Sequence, residues 1–179
     1  MTREENLDIL NNAELLFDED TCRRALQRMA DDITAQLSAS FPLVLPVMGG
    51  AVVFTGQLLP LLRFPLDFDY VHVSRYGDQL TGGGFNWLRA PQHGVAGRHV
   101  LLLDDILDEG HTMAALHEKV MGLGAASCRC AVFANKLLDH DKPITADFVG
   151  LDVPNRYVFG YGMDVKGAWR NLPAIYALK

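Results

Sequence analysis

The stretch His99-Val100-Leu101-Leu102-Leu103-Asp104-Asp105-Ile106-Leu107-Asp108-Glu109-Gly110-His111-Thr112 decides how the chain is read. Four apolar residues, Val100 to Leu103, run unbroken and stop at two carboxylates. A short continuous apolar run fits a strand buried on both faces. Asp108 comes next, then Glu109-Gly110-His111-Thr112 and a helical stretch to Leu123, ended by Gly122 and Gly124. A helix N-terminus offers free N–H groups and partial positive charge, which suits a phosphate. Gly110 lets the backbone approach an anion closely, and Thr112 adds a hydroxyl. Carboxylates beside a phosphate site make chemical sense if they face sugar hydroxyls or Mg²⁺, directly or through water. As bare physics, the same letters also describe an Asp-rich turn before a capped helix. A Walker A loop is excluded, because no GxxxxGK[ST] pattern occurs.

Outward from this stretch, strands and helices alternate. Cys22, Leu26, Met29, Ile33 and Leu37 recur at intervals of 3 and 4, which predicts an amphipathic helix over Asp20 to Leu37 with Asp20 or Thr21 as N-cap. Leu43 to Val47 reads as a buried strand, Gly49-Gly50 as a turn and Ala51 to Leu62 as a buried helix. Phe68 to Val73 and Ser127 to Ala134 read as further strands, with short extended pieces at Phe148 to Val153 and Tyr157 to Tyr161. Arg75 to Gly97 is glycine-rich without an apolar period, so a long mobile loop or loose hairpin is expected. This alternation implies an open, mainly parallel sheet. Ligands in such sheets sit beyond the carboxyl ends of the strands. The positions of interest follow Val47, Val73, Leu103 and Ala134.

Length, charge and cysteines narrow the classes. The 179 residues suit one domain with one core, and 49% apolar with 21% charged is ordinary globular composition. A net charge of −6 argues against a nucleic-acid footprint. Phe41 to Leu62 is uncharged and long enough for a membrane span, but Pro42, Pro46 and Pro60 interrupt it, with glycines between. The N-terminus has early acids and no apolar core of a signal peptide. The expectation is therefore a cytoplasmic protein with no membrane partner. Cys22, Cys128 and Cys130 are odd in number and are read as reduced core thiols.

The acidic strand end with its phosphate turn resembles the phosphoribosyl pyrophosphate (PRPP) motif of type I phosphoribosyltransferases, most closely the hypoxanthine-guanine phosphoribosyltransferases. The likeness runs from about Leu43 to the C-terminus. It includes Lys136, Asp147-Phe148-Val149-Gly150, Pro154, Arg156 to Asp164 and Arg170-Asn171-Leu172-Pro173. The resemblance implies a type I phosphoribosyltransferase fold: an α/β core with a central, mainly parallel five-stranded sheet flanked by helices. Residues 1–179 would form a single domain, with a small hood made from the N- and C-terminal segments. It implies a purine salvage enzyme that transfers the phosphoribosyl group of PRPP to hypoxanthine or guanine with Mg²⁺. The products would be IMP or GMP and pyrophosphate, and the assembly a homodimer or homotetramer.

The resemblance also implies residue roles. Asp108 would accept a proton near N7 of the base. Asp104 and Asp105 would hold the ribose hydroxyls and, with Asp164, face Mg²⁺. Glu109, Gly110, His111 and Thr112 would bind the 5′-phosphate, and Met48, Gly49 and Arg170 the pyrophosphate. Arg75 and Tyr76 would begin the mobile loop. Lys136 would bind the exocyclic oxygen, Tyr157 would stack on the purine, and Val158 would present backbone groups to it. Lysine only donates, so it suits a 6-oxo acceptor and opposes a 6-amino group. Taken singly, Lys136, Tyr157, Asp164 and Arg170 are ordinary surface or core residues; the joint spacing carries the reading.

Three positions depart from the family pattern. Met48 stands where Lys or Arg is frequent, Glu109 where Thr is common, and Arg75 where Ser is usual. A carboxylate facing the 5′-phosphate would repel it, so the Glu109 side chain is expected to point outward or find another contact. Arg75 is a candidate to supply the charge absent at Met48. Two other readings share the fold: a xanthine-preferring transferase, and a PRPP-sensing regulator that binds nucleic acid. The net charge and the complete set of base-site residues weigh against the regulator.

Overall fold

The computed structural model describes residues 1–75, 85–92 and 94–179, without the side chains at 74–75 and 85–88. In chain order the elements are α1 (Arg3–Asn12), β1 (Glu14–Phe17), α2 (Glu19–Leu37), β2 (Leu43–Met48), α3 (Val52–Leu58), β3 (Asp67–Phe68), β4 (Val71–Arg75) and β5 (Phe85–Arg89). Then come β6 (His99–Leu107), α4 (His111–Gly122), β7 (Ser127–Lys136), β8 (Phe148–Val153), β9 (Val158–Phe159) and β10 (Ile175–Ala177).

The apolar run at Val100 sits mid-sheet. Strand order is β5-β4-β2-β6-β7-β8, with the two-residue β3 alongside β2. The five strands β4, β2, β6, β7 and β8 are mutually parallel, and β5 adds an antiparallel edge. The expected five-stranded parallel sheet is thus present, extended to seven strands. Successive side chains of β6 point to opposite faces. Leu101 and Leu103 pack with α2 and α3 residues such as Ile33 and Phe54, whereas Val100 and Leu102 pack with Met113, Leu116 and Val120 of α4. All four are essentially inaccessible to solvent, so the strand is buried on both faces. Truncating one of the aromatics here, such as Phe133 stacked on Tyr161, costs about 3–5 kcal/mol in comparable cores.

Several boundaries differ from the sequence-based expectation. β6 does not stop at Leu103; it runs through Asp104 and Asp105 to Leu107, because the long β7 continues to pair with it as far as Asn135. α2 is capped by Asp18, whose carboxylate accepts from the Thr21 N–H, and Asp20 instead pairs with Arg23 one turn on. The helix expected over Ala51 to Leu62 ends at Leu58 and tightens into a 3-10 turn, Leu59–Leu61, around Pro60, which lacks an N–H. The strand expected over Phe68 to Val73 is broken at Asp69. That buried carboxylate accepts from the Tyr70 and Gln92 N–H groups and from Arg89. The glycine-rich segment contains β5, paired with β4; Tyr76 lies outside the described residues.

A second, three-stranded antiparallel sheet, β1-β10-β9, joins the two ends of the chain. Arg156 fastens it, donating to Glu14 and to the Leu178 carbonyl. Neither β1, β10 nor α1 announced itself in the sequence. None of the helices among the described residues is long and apolar enough to cross a membrane.

Candidate active site

A cleft of about 510 Å³ opens over the carboxyl ends of the central strands. Its floor is the acidic end of β6. Asp104 and Asp105 line it, with Asp108 beyond the strand and Thr112 from the first turn of α4. The strand-to-helix turn is made by Gly110, whose φ of 81° lies in the left-handed region that side chains avoid. Gly110 packs against Lys142, Pro143 and Ile144. Glu109, Gly110 and His111 form this turn but do not line the cleft.

Asp105 is 8% exposed. Burial pushes its carboxyl above its ordinary value, against the pull of its hydrogen bonds and of Arg170, 3.8 Å away. Met48 and Gly50 reach the cleft from the end of β2; Gly49, between them, does not. The backbone there is closely packed. Gly162, with φ 107°, lies against the Gly50 carbonyl, and a Cβ at Gly162 would collide with it.

The other wall is assembled from distant segments. Lys136, at the end of β7, is 13% exposed and pairs with Asp108 at 3.0 Å. Tyr157 is 51% exposed at the mouth, and its hydroxyl donates to the Asp164 carbonyl. Val158 follows at the start of β9. The Asp164 carboxylate pairs with Arg170 at 2.6 Å, and Arg170 also donates to the Gly162 carbonyl. The residues implied by the resemblance therefore surround one cleft, apart from Gly49, Glu109, Gly110 and His111 on its frame. Tyr76 and the Arg75 side chain lie outside what the structure describes.

A family model, the phosphoribosyl transferase domain, matches residues 13–166. The chain belongs to the phosphoribosyltransferase family. The hypoxanthine-guanine phosphoribosyltransferase of Bacillus subtilis (strain 168) is 31% identical over 166 residues, covering 92% of each chain. The bifunctional protein TilS/HprT of Listeria innocua is 33% identical over 92% of this chain, which spans only 26% of that longer protein. A crystal structure of a hypoxanthine phosphoribosyltransferase from Staphylococcus aureus superposes with a TM-score of 0.89, over 96% of this chain and 95% of that one, at 23% identity. That likeness speaks for the fold.

Against this phosphoribosyltransferase frame, two of the sequence departures acquire geometry. Met48 reaches the cleft with no charge to offer, and the cations that line the cleft among the described residues are Lys136 and Arg170. The Glu109 carboxylate is turned to His140, with Oε2 3.0 Å from Nε2. Sequence reading missed two supporting residues, His140 and Lys142. Lys142 donates to the Leu107 carbonyl and to Asn135, tying the segment after β7 to the turn before α4. No local motif marks either residue, because the contacts that reach the turn before α4, His140 to Glu109 and Lys142 to Leu107, span 31 and 35 positions.

The carboxylates also bear on a metal. Mg²⁺ prefers hard oxygen donors and is commonly held by one or two carboxylates together with substrate phosphates and water. Asp104, Asp105 and Asp164 supply such donors at the cleft. Among the described residues no three His, Cys, Asp or Glu side chains converge into an all-protein cage. The donor set fits a Mg²⁺ shared with a substrate phosphate.

Proposed function

We propose that the chain is a purine salvage phosphoribosyltransferase that joins hypoxanthine or guanine to the ribose of PRPP and releases pyrophosphate. The observation that carries this is the Lys136–Asp108 pair, set between the phosphate turn and Tyr157 in one cleft. Tyr157 stacks on the purine. Lys136 donates to the 6-oxygen, and in doing so loosens its hold on Asp108. Asp108 then accepts the proton from the N7 side as N9 attacks the ribosyl carbon. Such help is typically worth about 10²–10⁴-fold. Val158 presents backbone groups to the base.

Glu109, Gly110, His111 and Thr112 bind the 5′-phosphate through backbone N–H groups at the head of α4 and the Thr112 hydroxyl. Asp104 and Asp105 orient the ribose hydroxyls. Met48 and Gly49 offer backbone to the pyrophosphate, and Arg170 its guanidinium fork. Arg75 and Tyr76 lead the loop that covers the site and keeps water from PRPP. Asp104, Asp105 and Asp164 would hold Mg²⁺, which when bound offsets the charge of the leaving pyrophosphate. The β1-β10-β9 sheet serves as the hood over the base. The same reading carries a cytoplasmic enzyme working as a homodimer or homotetramer, without nucleic acid or membrane.

The test is pyrophosphate release from PRPP and Mg²⁺ with hypoxanthine, guanine, xanthine and adenine supplied separately. Release with hypoxanthine or guanine and not adenine is expected. Release with adenine alone overturns the role of Lys136. Tight PRPP binding without turnover of any base turns the reading to a sensor.

A further inference from the structure

Glu109 poses a problem for the phosphate turn. A carboxylate in the loop that binds the 5′-phosphate repels a phosphate dianion, and the repulsion is strongest where water is excluded. In the structure, that carboxylate lies 3.0 Å from Nε2 of His140, whose Nδ1 faces Asp139 at 3.1 Å. His140 is not held by these contacts alone. Two residues on, the Lys142 ammonium donates to the Leu107 carbonyl at 2.6 Å and to Asn135 at 2.8 Å. Asn135 in turn donates to Asp152 on β8. The next residues, Pro143 and Ile144, pack against Gly110 itself. The segment after β7 is thus anchored on both the sheet edge and the phosphate turn, with His140 directed at Glu109.

We propose that His140 is a positioning residue for the 5′-phosphate: it draws the Glu109 carboxylate away from the turn and cancels its charge. The proposal rests on the phosphoribosyltransferase reading above. His140 acts through Glu109 and need not touch the substrate.

The charges around His140 set its response to pH. Glu109 faces it from the turn before α4, and Asp139 from its own segment, with Asp141 and Lys142 next in sequence. Around Lys142 the further charges are Asp108, Lys136 and Asp152. The hydrogen bond to Glu109, and secondly that to Asp139, hold the imidazolium above its ordinary value of 6.5. The cation is therefore complete below 6.5 and is lost as pH rises through the raised value. Over that window the Glu109 carboxylate loses its neutralising partner and PRPP affinity falls. The substrate phosphate titrates near pH 6 as well, but it does so equally for every variant, so the difference from Glu109→Thr isolates His140.

The experiment measures PRPP affinity by calorimetry, and KM and kcat by pyrophosphate release, from pH 6 to 8.5. The proteins are the wild type, His140→Ala, His140→Lys, Glu109→Thr and the double variant His140→Ala/Glu109→Thr. Loss of an exposed charge pair predicts about a fivefold rise in Kd and KM for PRPP in His140→Ala near pH 6.5, with kcat held. His140→Lys keeps a permanent cation and should retain tight binding with a flat pH dependence. In Glu109→Thr, adding His140→Ala should change nothing. The His140 imidazole, followed by NMR, should titrate lower in Glu109→Thr than in wild type. An unchanged Kd in His140→Ala, or the same loss with and without Glu109, overturns the proposal and leaves the enzyme assignment standing. A wild type that binds no PRPP overturns both.

Discussion

The two walls of the cleft are built in opposite ways. The wall assigned above to the phosphates is largely a single run, Asp104 to Thr112, shaped by one strand end, one left-handed glycine and one helix start, with Lys142, Pro143 and Ile144 bracing the turn from outside. The wall assigned above to the base draws Lys136 from β7, Tyr157 from just before β9, Val158 from its start, and Asp164 and Arg170 from the turns beyond it. Its support comes from still further away, since β9 is held by β10, β10 by β1, and Arg156 is clamped to Glu14. A contiguous wall takes most of its shape from local geometry and only its bracing from the segment after β7. An assembled wall is sensitive to anything that loosens the chain ends.

Asp108→Ala gives the largest expected effect and tests whether the walls meet at one point. Loss of the proton acceptor should lower kcat about 10²–10⁴-fold, with KM for PRPP nearly unchanged, in steady-state assays with hypoxanthine. An equal rise in PRPP KM would show that Asp108 belongs to the phosphate wall alone. Tyr157→Ala attacks the assembled wall. Stacking on a base is worth about 1–3 kcal/mol, so KM for the purine should rise roughly 5- to 150-fold while PRPP binding holds. A matching loss of PRPP affinity would mean the walls are coupled.

Asp105→Asn separates function from stability within the contiguous wall. Burial raises the Asp105 carboxyl above its ordinary 3.8. Its contribution to the fold is therefore complete below that value and lost as pH rises through the raised one. Above the raised value the ionised group works against folding, so Asn should raise Tm there, by about 2–4 °C for a gain of about 1 kcal/mol, while turnover drops. A Tm advantage that vanishes below about pH 4 would fix the sign; a lowered Tm would reverse it. Arg156→Ala gives the smallest expected effect. Breaking the Glu14 clamp should lower Tm by about 2 °C or less and raise KM for the base more than KM for PRPP. The opposite ratio would show that the chain-end sheet does not serve the base wall.

The difference between the walls also explains what could be read from sequence. Val100 to Thr112 announced strand, carboxylates, turn and helix because each signal is local: an apolar run, an acidic stop, a glycine, a hydroxyl. The strand boundary was nevertheless placed too early, since continued pairing with β7 carries β6 through the two aspartates. On the base wall, Lys136 and Tyr157 carried no chemical signal of their own and were legible only through the resemblance. His140 was not legible at all. Its meaning lies in a 3.0 Å approach to Glu109, 31 residues earlier in the chain.

By itself the sequence determined the parallel core and the order strand, carboxylates, turn and helix from Val100 to Thr112, because short-range sterics and side-chain alternation specify both. Tertiary structure alone decided which distant charges meet: Lys136 with Asp108, Arg170 with Asp164, His140 with Glu109, Arg156 with Glu14. Coulombic and hydrogen-bond energies depend on separation in space, and separation along the chain carries almost no information about that distance until the sheet has brought its strands side by side.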